Sequence, residues 1–162
     1  MRFLLFLLHF SLAFLQGWCQ CGTVIKVHDG DTFEIALAKD ETLKVRVAYI
    51  DTPELGQPFG LESKNFTYRS LFNKKACIEV KYKDPYGRSV AWVQLANGKI
   101  LNEELLRNGL AWHFKRYSHD GALQELEDLA HRKKIGIWST LEPTAPWEWR
   151  KEHRVGYHKL RK

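Results

Sequence analysis

Three short polar clusters interrupt a chain of otherwise alternating apolar and polar residues: Asp29-Gly30-Asp31-Thr32, Asp51-Thr52-Pro53-Glu54 and Asp84-Pro85-Tyr86-Gly87-Arg88. Arg46 stands apart from them, in a stretch where its alternate neighbours are Ala48 and Ile50. An arginine on an apolar strand face needs an anionic partner, from the protein or from a ligand. Each cluster alone reads as an ordinary turn, because Asp, Gly and Pro are turn formers. Together they put the carboxylates of Asp31, Asp51 and Glu54 and the guanidiniums of Arg46 and Arg88 where strands meet loops. Carboxylates accept protons and ligate hard cations, and guanidinium forks grip phosphate oxygens.

The elements that must carry these groups follow from periodicity. Thr32–Ala38 alternates as a half-buried strand, with Phe33, Ile35 and Leu37 on one face. Thr23–His28 predicts a strand before it, and Leu43–Ile50 a third, with Leu43, Val45, Val47 and Tyr49 opposite Lys44, Arg46, Ala48 and Ile50. Pro53 ends that run, since proline lacks a ladder donor. A helix from Leu61 to about Lys74 presents Leu61, Tyr68, Leu71 and Phe72. Strands over Ala76–Tyr82 and Ser89–Ala96 follow, then helices over Asn102–Asn108 and Ala122–Lys134. Short antiparallel strands with interposed helices predict an α+β domain, mainly β, built as a small closed barrel capped by helices.

The 162 residues are one domain's worth, and 44% hydrophobic with 27% charged residues excludes collagen-like, disordered and coiled-coil classes. The formal net charge is +6, but it is unevenly spread: Trp147–Lys162 holds six Lys/Arg against two Glu, so the body is nearly neutral. Nucleic-acid binding by the body must therefore rest on placed charges and not on bulk attraction. The tail either adds non-specific affinity or is a frayed, solvated terminus.

Residues 3–15, FLLFLLHFSLAFL, follow Met1-Arg2 and fall short of the ~20 residues needed to cross a bilayer. The pattern predicts a secretory signal peptide over residues 1–19, cut after Cys19 or Cys21, a domain over 20–140 and a basic tail over 141–162. An exported protein, secreted or periplasmic, with no stable membrane span after cleavage is expected; the other reading is an uncleaved anchor or buried helix. In an oxidising compartment Cys21 and Cys77 have the option of pairing, with Cys77 as a small buried hydrophobe as the alternative.

The order and spacing of these clusters resemble the staphylococcal nuclease family. Asp29-Gly30-Asp31-Thr32, Arg46 five residues before Asp51-Thr52-Pro53-Glu54, and Asp84 to Arg88 carry the resemblance. Asn102-Glu103, Gly109-Leu110-Ala111 and Ile137-Trp138-Ser139 continue it, and Pro146-Trp147-Glu148-Trp149-Arg150 is similar to the tail of many bacterial members. The resemblance implies an OB-type five-stranded β-barrel capped by about three helices. It implies a monomeric, calcium-dependent phosphodiesterase acting on DNA and RNA and leaving 3′-phosphate ends. Asp31 and Asp51 would be carboxylate ligands of Ca²⁺, Thr52 a backbone-carbonyl ligand, and Glu54 the general base or an acceptor orienting the water. Arg46 and Arg88 would contact the scissile phosphate, and Tyr86 and Tyr117 would lie near the bound nucleotide. Lys115 and Pro85 replace a tyrosine and a lysine of the family pattern, and the Leu55–Gly60 loop is shorter, so nucleotide preference does not carry over. Ca²⁺ with Arg46 and Arg88 exceeds the charge of the three carboxylates by one, which suits a phosphodiester. The rival reading is a non-catalytic OB-fold module that binds single strands by stacking and a basic groove.

Overall fold

The computed structural model describes residues 19–38 and 41–159. The signal peptide expected from the sequence falls, up to residue 18, outside the described residues. Five strands form a closed barrel in the order β1 (Cys19–Val27), β2 (Thr32–Ala36), β3 (Thr42–Val47), β6 (Ser89–Leu95) and β5 (Lys75–Lys83). A two-residue strand β4 (Ile50–Asp51) pairs with β7 (Trp112–His113) beside it. Helices α1 (Gly60–Leu71), α2 (Leu101–Arg107), α3 (Gly121–Arg132) and α4 (Pro146–Lys159) surround the barrel. This is an OB-type α+β fold. Among the described residues no helix is long and apolar enough to cross a membrane.

The barrel forms because alternate residues of each strand meet inside it: Val24, Phe33, Ile35, Val45, Val47, Ile78, Ala91 and Val93 are all buried. Helix α2 closes the core with Leu101, Leu105 and Leu106. Five features depart from the expectation. The sheet is mixed, since β3 pairs with β6 in parallel while the other barrel pairs are antiparallel. Strand β1 starts at Cys19, and Cys21 is bonded to its cross-strand partner Cys77. Cleavage after Cys21 would remove half of that bridge.

The third departure changes how the site is carried. The strand read over Leu43–Ile50 breaks at Ala48–Tyr49, where Tyr49 adopts φ 64°. That turn reverses the alternation, so Ala48 and Ile50 are buried in the same core as Val45 and Val47. Arg46 thus points away from the core without sharing a face with Ala48 and Ile50. Asn102, itself fully buried, secures the turn by donating to the Ala48 carbonyl (2.9 Å) while accepting from Val93 N–H (3.1 Å).

Fourth, the tail is no frayed terminus over 146–159: Pro146 begins α4, the position where its missing N–H costs nothing. Helix α1 also turns differently from the apolar reading. Leu61 and Tyr68 are exposed, while Ser63 and Thr67 are buried with Leu71. The two hydroxyls donate to the carbonyls of Leu110 (2.8 Å) and Gly30 (2.6 Å). Thr67 thereby fixes the Asp29–Asp31 loop against α1, and Gly30 has no room for a side chain between Thr52 and Ser63.

Candidate active site

All eight residues singled out from the sequence line one cleft of about 760 Å³ on the barrel rim: Asp31, Arg46, Asp51, Thr52, Glu54, Tyr86, Arg88 and Tyr117. They arrive from β3, β4, the loops flanking β2 and β4, the β5–β6 loop and the segment after β7.

At its centre, acids and guanidiniums alternate. Arg46 Nη1 lies 3.1 Å from Asp31 Oδ2 and donates to the Val47 carbonyl at 2.8 Å; Arg46 Nη2 donates to Asp51 Oδ1 at 2.8 Å. Asp31 Oδ2 also accepts from the Thr52 amide and hydroxyl, both at 2.9 Å, which locks the strand end carrying Asp51 to the loop carrying Asp31. The row continues to a residue outside the sequence-derived set. Arg150 of α4 donates through Nη2 to Asp51 Oδ2 (2.7 Å) and through Nη1 to Glu54 Oε1 (2.6 Å). The order is Asp31, Arg46, Asp51, Arg150, Glu54.

Arg88 reaches the same cleft by a separate device. Asp84 Oδ1 accepts the amides of Tyr86 and Arg88 at 2.9 Å each, shaping the turn, and its Oδ2 accepts from Arg88 Nε at 2.7 Å. The guanidinium also lies 5.6 Å from the centroid of the Tyr86 ring. Asp84 and Asp29, read above only as turn residues, are therefore part of the charge balance, as Asp29 Oδ1 accepts the Asp31 amide at 3.1 Å.

Asp29, beside the row, brings the acids to four with Asp31, Asp51 and Glu54 against Arg46 and Arg150, two positive charges short when every carboxyl is ionised. The excess shows in the titration. Burial, followed by the Asp31 charge, pushes the Asp29 pKa up to about 6. Burial also raises Asp51, against the bonds from Arg150 and Arg46. Burial works to lower Arg150, but its bonds to Asp51 and Glu54 outweigh it and hold the guanidinium above its ordinary value.

The donor set is oxygen throughout, with no histidine or thiol in the row, and its deficit equals one divalent ion; both suit a hard cation such as Ca²⁺. Among the described residues no three of these carboxylates bring their oxygens together at one point. The acids are spaced by the guanidiniums between them. Lys83 and Arg116 add positive charge at the rim of the cleft.

The fold and the site define a five-stranded OB-type barrel domain with an acid–arginine rim. The comparisons with known proteins name its family. The sequence model described as "Staphylococcal nuclease homologue" matches residues 44–140. An uncharacterised endonuclease of Haemophilus influenzae is 36% identical over 132 residues, covering 82% of this chain and 74% of that protein. A micrococcal nuclease of Shigella flexneri is 32% identical and covers 80% of each chain. A staphylococcal-like nuclease of Arabidopsis thaliana is 37% identical over 123 residues; the chain spans 37% of its length. The chain belongs to the staphylococcal nuclease family.

Proposed function

We propose that this member of the family, a hydrolytic nuclease, is an exported, monomeric and calcium-dependent enzyme. It cleaves phosphodiester bonds in DNA and RNA and leaves 3′-phosphate ends. The observation that carries the reading is the alternating row on the rim, which sets hard oxygen donors beside phosphate-gripping forks within one cleft. Asp31, Asp51 and the Thr52 carbonyl are the groups that would hold the ion. When bound, it supplies Lewis-acid polarisation of a phosphoryl oxygen.

The chain's own groups do the rest. Arg46 commits Nη1 to Val47 and Asp31 and one Nη2 hydrogen to Asp51, which leaves Nε and the second Nη2 hydrogen of its five donors for phosphate. Arg88 uses Nε on Asp84, and its Nη groups take no protein hydrogen bond among the described residues. Two planar forks thus meet the charge that builds on the phosphate as water attacks. Glu54 Oε1 is engaged by Arg150, so Oε2 is the atom that accepts the water's proton. Tyr86 and Tyr117, both exposed, flank the cleft where a base would lie. Export is supported by the Cys21–Cys77 bridge, of a kind that persists in oxidising compartments.

The test is digestion of plasmid DNA and of RNA in Ca²⁺ against chelator, with Glu54→Gln alongside. The expected result is Ca²⁺-dependent cleavage whose products a polymerase extends only after phosphatase treatment. Tight nucleic-acid binding without cleavage by the folded protein would favour the non-catalytic barrel instead.

A further inference from the structure

Glu54 lies on the loop between β4 and α1, and its side chain is 41% exposed. Nothing in the barrel holds its carboxylate: among the described residues the one side chain bonded to it is Arg150. Its backbone is tied to the same segment of chain. The Glu54 amide donates to Gln57 Oε1 (3.1 Å), and Gln57 Nε2 donates to the Thr144 carbonyl (2.5 Å), two residues before α4. Gly60 lets the loop close on itself, since a Cβ there would run into the Glu54 carbonyl.

Helix α4 is seated independently of this contact. Ala145 is buried with Trp112 and Ile137, Pro146 is buried, and the Trp147 ring stacks on Phe114 with centroids 5.4 Å apart and planes within 3°. Arg150 is thus delivered from a fixed base. Its fork spans Asp51 and Glu54, two like charges that would otherwise repel.

We propose that Arg150 is a positioning residue: it sets the orientation of the Glu54 carboxylate beside Asp51, and the C-terminal helix is thereby a working part of the active site. This rests on the reading of Glu54 as the proton acceptor. A planar fork suits the geometry, because Nη1 meets Glu54 while Nη2 meets Asp51, where a lysine would have to serve both acids from one freely rotating nitrogen.

The experiment compares Arg150→Ala, Arg150→Gln and Arg150→Lys with Glu54→Gln and the Arg150→Ala/Glu54→Gln double variant, all in the full chain at saturating Ca²⁺. Arg150→Ala should lose ~10–100-fold in kcat, the usual cost of removing a group that orients a ligand or base, with KM changed by less than about threefold. Arg150→Lys should recover part of the loss; Arg150→Gln keeps the bulk should the alanine variant misfold. If Arg150 acts through Glu54, the double variant is no slower than Glu54→Gln alone. Calorimetric titration with Ca²⁺ supplies a readout apart from turnover: Arg150→Ala should bind the ion at least as tightly as wild type, since a positive charge has left Asp51. Weaker Ca²⁺ binding in step with lost activity, additive losses in the double variant, or a fully active Arg150→Ala beside an inactive Glu54→Gln would each overturn the proposal. A fully active Glu54→Gln would instead overturn the reading of Glu54 beneath it.

Discussion

The two ends of the acid–guanidinium row are held in opposite ways. At the inner end the side chains of Asp31, Arg46 and Asp51 are 8%, 13% and 2% exposed and come from strands or their ends, with a backbone carbonyl and a threonine filling the remaining bonds. At the outer end Glu54 and Arg150 are 41% and 35% exposed and come from a loop and the last helix. The inner charges are built into the barrel, with backbone and threonine bonds around them. The carboxylate proposed to accept the proton sits on a loop and is held by one fork reaching across from α4. The difference teaches that an inner substitution should cost stability and rate together, and an outer one rate alone.

Arg46→Ala against Arg88→Ala sharpens that contrast most. Each removes a guanidinium proposed to face the phosphate, and loss of such a donor typically costs ~10²–10³ in rate. Arg46→Ala also removes the guanidinium between two buried carboxylates, leaving Asp31 with its threonine bonds and Asp51 with Arg150, and breaking a buried pair costs ~3–5 kcal/mol. Arg88 is 27% exposed against 13% for Arg46, and Asp84 keeps the turn amides of Tyr86 and Arg88 when the guanidinium is gone, so stability should change by no more than ~1 kcal/mol. Denaturant unfolding beside plasmid cleavage reads both. Equal midpoints for the two variants would break the distinction, and activity of either within tenfold of wild type would refute its role.

The bridge tests the reverse case, stability without rate. Cys21–Cys77 joins residues 56 apart in sequence at the end of β1 remote from Asp31. Cys77→Ala should lower unfolding free energy by ~2–5 kcal/mol and leave the specific activity of folded protein unchanged. A large drop in activity well below the melting range would mean that the barrel transmits strain to the rim.

The sequence told the two ends apart unequally, and for a physical reason. Asp31, Arg46, Asp51, Glu54 and Arg88 stand at strand–loop junctions, where turn chemistry and alternation expose them to a reader of spacing. The barrel strands were legible for the same reason, within a few residues at each end. Arg150 was not: its partners lie 96 and 99 residues away, and only tertiary packing brings α4 to the cleft. The helix itself left a signal, with Pro146 at its first position and Glu148 in its first turn. The buried face of α1 is not legible from apolar spacing, because Ser63 and Thr67 are buried through hydrogen bonds. Nor is the break before Ile50, because Tyr49 takes a left-handed conformation that favours glycine or asparagine.

Asp84→Asn probes the mildest case, the separate support given to Arg88 outside the row. Asparagine keeps Oδ1, and with it the turn amides of Tyr86 and Arg88, but loses the charge that faces Arg88 Nε. Burial works to raise the Asp84 pKa, but the bonds from Arg88 and the turn amides hold it below its ordinary value of 3.8. A lowered folded-state value means that the ion pair contributes its full stability above about that pH and loses it as pH falls through the folded value. The gap in unfolding free energy between wild type and Asp84→Asn should therefore be small, under ~1 kcal/mol, constant above neutrality, and closed in acid. Urea unfolding at pH 7 and at pH 3 measures it. A gap of the same size at both would trace the effect to the turn's shape and not to its charge, and Arg88 would then be aimed by backbone geometry alone.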